Sequence, residues 1–135
     1  MIPDQLNVEI VTPTGQEERH HIDYVRAPGT DGLFGVMPGH EPAIIALDIG
    51  EIRLRWNESS VSFATSGGYA EIHNDRVILL VETAERADQI DTDRAQRAAE
   101  QAREHMESAE DEAAKQHAAL ELRRAENRLK VAELQ

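Results

Sequence analysis

Fourteen lysines and arginines, 26 aspartates and glutamates and six histidines are the side chains in this 135-residue sequence that could do chemistry. The histidines do not form a metal-ligand pattern: His20 and His21 are adjacent in a predicted strand and should point to opposite faces, while His105 and His117 fall on separate predicted helices with no third ligand near them. The carboxylates are so numerous that any two could be read as an acid/base couple, and charge runs of this kind usually form solvated faces. There is no cysteine nucleophile, thiolate metal site or disulfide framework, because the chain has no cysteine. No glycine-rich phosphate loop or serine elbow occurs either. The chain is therefore expected not to be an enzyme, with no catalytic residues, no metal and no required cofactor. One cluster of charge does stand out: Lys115, Arg123, Arg124, Arg128 and Lys130 lie near the C-terminus, where cations also complement a helix dipole.

The formal net charge is −12, which would repel a phosphate backbone, so no nucleic-acid partner is expected. Residues 1–88 hold six basic and 15 acidic side chains, and residues 89–135 hold eight and 11. No apolar run approaches the ~20 residues that cross a bilayer. The start, Met1-Ile2-Pro3-Asp4, lacks the basic and apolar regions of a signal peptide. A soluble cytoplasmic protein is expected, without direct membrane insertion.

The elements that must position these residues change character two-thirds of the way along. All eight glycines lie between Gly15 and Gly68, all five prolines between Pro3 and Pro42, and no aromatic residue follows Tyr69. Before that point Leu6/Val8/Ile10, Ile22/Tyr24, Ile52/Leu54/Trp56, Val61/Phe63/Thr65 and Ile72 read as short strands. Turn chemistry separates them at Pro13-Thr14-Gly15, Asn57 to Ser60, Gly67-Gly68 and Asn74-Asp75. Such spacing predicts a β-sandwich or barrel. The continuous run Val77 to Val81 predicts a last strand covered on both faces. A boundary near Asp88 divides a β domain, residues 1–88, from a helical domain, residues 89–135.

The helical part should hold two helices, one capped by Asp91 and running to about Glu107, the next capped by Ser108. Ala95, Ala98, Ala99, Ala102 and Met106 make one stripe, and Ala114, Ala118, Leu122, Ala125, Leu129 and Ala132 the other. Two such stripes pack as a close antiparallel hairpin. At ~0.8 kcal/mol per buried CH₂, a seam of methyl groups gathers far less than a leucine seam, so the hairpin should be marginal and switchable.

The run Ala27 to His40, with Gly32, Gly35, Pro38, Gly39 and His40, is followed by Ser66-Gly67-Gly68, Ala84-Glu85-Arg86-Ala87 and Asn127-Arg128-Leu129-Lys130-Val131-Ala132. With these four motifs in order over essentially its full length, the chain resembles the epsilon subunit of bacterial and organellar F-type ATP synthases. The resemblance implies an antiparallel β-sandwich followed by a two-helix hairpin, in a non-catalytic subunit of the central stalk. It implies as partners the gamma subunit, the membrane rotor ring and the alpha and beta subunits of the catalytic hexamer, and a peripheral place on the cytoplasmic face of the inner membrane. The hairpin would extend along gamma and block ATP hydrolysis through Arg123, Arg124, Arg128 and Lys130. The contact with gamma and the ring is expected in the Gly35 to His40 segment and at exposed apolar residues, with Phe34, Met37 and His40 singled out.

Ile90-Asp91-Thr92-Asp93-Arg94-Ala95 matches the element that the family associates with ATP binding by the folded hairpin. The resemblance implies a regulatory ATP site of Glu85, Asp91, Arg94, Arg124 and Arg128, in which guanidinium forks pair with phosphate oxygens. Glu85 and Asp91 would orient the arginines or contact base and sugar. Gln101 stands where ATP-binding members have a further arginine, and Arg97 or Arg103 would have to compensate. Two readings stay open for this segment: a nucleotide site, or an Asp91 cap with arginines on a solvated face. For the whole chain the alternatives are a free-standing β-sandwich adaptor and a stand-alone nucleotide-sensing module.

Overall fold

The computed structural model describes residues 4–134, so Met1 to Pro3, read above for a leader, lie outside the described residues. Ten strands come first: β1 Leu6–Thr12, β2 Gly15–Ile22, β3 Tyr24–Gly29, β4 Gly32–Val36, β5 Ala43–Leu47, β6 Gly50–Trp56, β7 Ser59–Thr65, β8 Gly68–His73, β9 Arg76–Val81 and β10 Ala84–Arg86. A 3₁₀ turn at Ala87–Gln89 leads into α1 Thr92–Ser108 and α2 Glu112–Ala132. The strands connect in the order β10-β7-β6-β3-β5-β8-β9-β1-β2, with β4 beside β3. The sheet folds over on itself as a sandwich, and its ladders are antiparallel except where β1 lies parallel to β9. Alternate residues of these strands fill one interior, including Leu6, Val25, Ile52, Leu54, Ile72 and Leu79, each at most 1% exposed.

Two of the predicted turns are two-residue hairpin loops that start with an asparagine in the left-handed region, Asn57 at φ 53° and Asn74 at φ 56°. Asparagine tolerates that conformation better than other residues with a Cβ, and its twist matches the flanking strands. Gly68 opens β8 at φ 151°, and a Cβ there would sit 2.0 Å from the Leu80 carbonyl oxygen. Only glycine lets β8 pass that close to β9.

The structure corrects several expectations. Ile22 and Tyr24 belong to two strands, separated at Asp23. The strand at Val77–Val81 is neither last nor covered on both faces: β10 follows it, and Leu80 is 44% exposed. Nor do His20 and His21 simply point opposite ways. The β1–β2 register shifts between Leu6 and Val8, and His21 takes φ 63°, a bulge that brings the His20 ring to Asn7 and the His21 ring to Gln5. Ser108 is the last residue of α1, its hydroxyl turned back to the His105 carbonyl, and Asp111 caps α2 by accepting from the Ala114 N–H at 2.7 Å. The carboxylate outcompetes the hydroxyl because it meets the positive end of the helix with a full charge.

Ala95, Ala99 and Ala102 of α1 and Ala118 and Ala125 of α2 are buried in the helical seam, as the stripes predict, whereas Ala114 is exposed. Near the tip, His117 Nε2 at 2.9 Å and His105 Nδ1 at 3.4 Å both approach the carboxylate of Glu121. Only the His105 contact joins α1 to α2, since His117 and Glu121 stand one turn apart on α2; among the described residues no group of three or more such side chains is arranged to hold a metal ion. The far end of α2 docks on the sheet through a second apolar cluster of Ala64, Ala87, Ile90, Val131 and Ala132.

Candidate functional site

Where α2 crosses the end of β7, the hairpin and the sheet enclose a cavity of about 560 Å³, within the range of small-molecule sites. Each of its walls has a local cause. Arg124 and Arg128 stand four residues apart on α2 and so share a face, with Asn127 beside them. Arg94 enters from the first turn of α1. That turn is set by Asp91, whose carboxylate accepts the Arg94 backbone N–H at 3.0 Å. The sheet supplies Thr65 and Ser66 at the end of β7, Glu82 and Thr83 before β10, and Glu85 within it.

Three arginines and two glutamates thus line one space. Arg128 is engaged by Glu85: Nη2 donates to Oε2 at 3.0 Å, and Nε lies 2.7 Å from Oε1. Arg94 and Arg124 make no ion pair among the described residues. The arrangement is that of an anion-binding cleft, with forks suited to phosphate or carboxylate oxygens and with hydroxyls at its floor.

Asn127 fixes the helix over this floor. Its side-chain amide donates to the Gly50 carbonyl at 2.9 Å and, at 3.5 Å, to that of Thr65. Nearer the middle of α2, Arg123 Nη2 lies 3.3 Å from Asp48 Oδ2.

Of the residues that the sequence singled out, Glu85, Arg94, Arg124 and Arg128 come together around the cavity. Asp91 does not line it and acts as the N-cap. Arg97, Gln101 and Arg103 are exposed on α1 and are not among the cavity walls. Arg123 and Lys130 are exposed outside it. Met37 is 62% exposed, whereas Phe34 is half-buried against the sandwich core and Leu33, 68% exposed, is the outward side chain of β4. Gly35 leaves room there for the Tyr24 side chain, whose hydroxyl and ring edge a Cβ would overlap. His40 is half-buried in the turn after β4, its Nδ1 2.6 Å from the Glu41 carbonyl oxygen.

Sequence reasoning missed Asn127 as an anchor, and Ser66, Glu82 and Thr83 as walls. It also missed an apolar row on the outer face of the sandwich. Ala46, Tyr69, Leu80 and Val11 are neighbours across β5, β8, β9 and β1. Tyr69 is 57% exposed, and Ile44, two residues before Ala46 on the same face, is 75% exposed. The alternation of Leu79 with Leu80 was the available signal, hidden because both residues are leucine.

Away from the cavity, Glu51 forms the centre of a charged cluster on the outer face of β3 and β6, 2.9 Å from Arg26 and 3.0 Å from Arg53. Burial opposes its charge, but hydrogen bonds from Ser62 and Arg53 and the charges of Arg53 and Arg26 prevail and hold its carboxyl below the ordinary value of 4.5.

Comparison with known proteins agrees with this architecture. Residues 5–87 match the family described as ATP synthase, Delta/Epsilon chain, beta-sandwich domain, and residues 88–133 match ATP synthase, Delta/Epsilon chain, long alpha-helix domain. An ATP synthase epsilon chain of Desulforamulus reducens is 40% identical over 126 residues, which cover 93% of this chain and 96% of the relative. One from Carboxydothermus hydrogenoformans is 42% identical over 103 residues, 76% of this chain and 77% of the relative. Among solved structures, a chain of the Euglena gracilis mitochondrial ATP synthase superposes with a TM-score of 0.83 at 22% identity, over 100% of this chain and 84% of the other. A chain of the Tetrahymena thermophila mitochondrial ATP synthase central stalk and c-ring does so at 0.68 and 13% identity, over 98% and 99%. At these identities the two structures speak for the fold.

Proposed function

The chain belongs to the ATP synthase delta/epsilon chain family, and from that premise we propose that it is a non-catalytic rotor subunit of the central stalk of an F-type ATP synthase. Its sandwich binds the gamma subunit and sits against the membrane rotor ring, and its hairpin restrains ATP hydrolysis when it extends. The exposed row of Val11, Tyr69 and Leu80 with Ile44 offers an apolar docking face for gamma. Leu33 and Met37 at the β4 end, with His40 in the turn, offer a second contact toward gamma or the ring. No helix among the described residues is long and apolar enough to cross a membrane. Attachment to the cytoplasmic face of the inner membrane is assigned to the partners.

The hairpin is the regulatory element of this reading. When it leaves the sheet, Arg123, Arg124, Arg128 and Lys130 are free to meet acidic surfaces on the alpha and beta subunits. When it is docked, Arg94, Arg124 and Arg128 close a cleft in which ATP holds the docked form together, with Asp91 placing Arg94. The observation that carries the reading is this cleft, in which α1, α2 and the sheet each supply charged walls, so that a ligand there binds only the docked state.

The test is ATP hydrolysis by an alpha–beta–gamma assembly with the chain added, at micromolar and at millimolar ATP. Inhibition at low ATP that is relieved at high ATP is the expected result, with inhibition reduced when Arg124 and Arg128 are both replaced by Ala. A chain that binds gamma but leaves hydrolysis unchanged at every ATP concentration would overturn the regulatory reading. A chain that does not bind gamma would overturn the stalk reading itself.

A further inference from the structure

The pair between Glu85 and Arg128 is unusual in its setting. A cleft that presents three guanidiniums to an anion has one of them already filled by a carboxylate of the protein. We propose that Glu85 is an internal counter-anion, which occupies the fork of Arg128 that a phosphate must take and is displaced when a phosphorylated ligand binds. The proposal rests on the anion-binding reading of the cleft and inverts the role of Glu85 within it: this residue opposes the ligand and sets the concentration at which it binds.

Three features support an exchange over a shared site. Both carboxylate oxygens of Glu85 lie against the Arg128 guanidinium, Oε2 accepting from Nη2 at 3.0 Å and Oε1 2.7 Å from a buried Nε that makes no hydrogen bond, so a phosphate oxygen that takes this edge must displace them. The Glu85 backbone is held in β10 opposite Ala64 of β7, so release happens by side-chain rotation, and a side chain already 36% exposed can move into water. Glu82 faces the same cleft, so a polyphosphate meets two like charges there unless Glu85 turns away. Arg94 and Arg124, which hold no carboxylate among the described residues, offer the ligand its first contacts before the exchange. Because Arg128 is on α2 and Glu85 on the sheet, the exchange also replaces a direct tie between hairpin and body with one that runs through the ligand.

The two roles give opposite signs. If Glu85 assists binding by orienting Arg128, its removal weakens the ligand; if it is a counter-anion, its removal tightens it. Calorimetric titration of ATP, and separately of inorganic triphosphate, into the full chain decides between them. The proteins compared are wild type, Glu85→Gln, Glu85→Asp, Arg128→Ala and the double variant Glu85→Gln/Arg128→Ala. For a half-buried pair, Glu85→Gln should bind both anions about three- to tenfold tighter than wild type. Glu85→Asp, too short to keep both oxygens on the fork, should shift the same way by less, and it stands in if the glutamine variant does not fold. In the Arg128→Ala background the gain should fall below about twofold, because the fork is gone. In the free protein, amide exchange in α2 should speed up in Glu85→Gln, which shows that the tie existed.

Equal or weaker binding by Glu85→Gln, with wild type still binding ATP, would overturn the counter-anion and leave the nucleotide site standing. Tighter triphosphate binding without any ATP binding would keep the counter-anion and overturn the nucleotide reading. No binding of either anion by any of the five proteins at millimolar concentration would overturn both.

Discussion

Replacing Asn127 with Ala should loosen the hairpin without loosening the sandwich. The side-chain amide makes one good hydrogen bond, 2.9 Å to the Gly50 carbonyl, and a long one, 3.5 Å to that of Thr65. A net intramolecular hydrogen bond of this kind contributes about 1 kcal/mol, and the half-buried site lets water take over part of the Gly50 acceptor, so the cost should stay near ~1 kcal/mol and not reach ~3. With tenfold per ~1.4 kcal/mol, the ratio of released to docked hairpin should rise about fivefold. Native-state amide exchange reads this directly, because α2 and the interior strand β9 report on different openings. The expected pattern is about fivefold faster exchange in the docked half of α2, around Ala125 and Val131, with β9 from Arg76 to Val81 unchanged. Equal loss of protection in β9 would refute the reasoning, since helix and sheet would then open as one unit. Unchanged exchange in α2 would show that the contact does not hold the helix down.

Other expectations follow from the same contacts. Asp91→Ala removes the cap that accepts the Arg94 N–H and should cost about 1 kcal/mol, seen as fraying of the first turn of α1 by amide exchange. Glu51 is held below its ordinary value of 4.5, so its contribution to stability is complete above that value and is lost as the pH falls through the lower, folded-state value. Denaturant midpoints measured from pH 6 to pH 2 should therefore fall less steeply in Glu51→Gln than in wild type. Gly68→Ala forces a Cβ to 2.0 Å from the Leu80 carbonyl at φ 151° and should cost about 3 kcal/mol or more, measured by chemical unfolding. Tyr69→Ser removes the aromatic centre of the exposed row and should weaken capture of gamma by ~10-fold or more, with a change in folding stability of about 1 kcal/mol at most.

The sequence carried the fold wherever a pattern had a physical reader. Strands with one buried face, such as Leu6/Val8/Ile10, show alternation; the Asn57 and Asn74 turns show their left-handed residue; and the alanine stripes show helical spacing. What lacked such a reader was missed. β2 buries only Ile22 in eight residues, so the sequence shows a strand only around His20 to Ile22, and the polar stretch Gln16 to Arg19 before it has no apolar alternation to notice. β10 is three residues long and is a strand only because β7 pairs with it. The identities of Arg94, Arg124, Arg128 and Glu85 as a group came from family resemblance, since spacing alone cannot bring together partners 43 residues apart such as Glu85 and Arg128. Asn127, Glu82 and Thr83 became visible only when α2 was laid across the end of β7.

The two parts of the molecule are held by different forces, and the cleft lies where this difference matters. The sandwich is closed by large aliphatic side chains such as Leu6, Ile52, Leu54 and Leu79, each at most 1% exposed. The hairpin is closed by alanines, and α1 packs mainly on α2, so whatever frees α2 from the sheet frees both helices. What holds α2 down is small: one cluster around Val131 and Ala132, the Asn127 amide, and the Arg123 and Arg128 ion pairs. The exposed Arg123 pair contributes at most about 1 kcal/mol, and the half-buried Arg128 pair and the amide about 1 kcal/mol each. A ligand that binds only the docked form adds about 2.7 kcal/mol at a hundred times its Kd. That is about as large as the three polar ties together, so on the proposed reading ligand concentration alone shifts the hairpin toward docking about as far as breaking all three would shift it away. A hairpin sunk in the sandwich core would put the docked state beyond the reach of any such ligand.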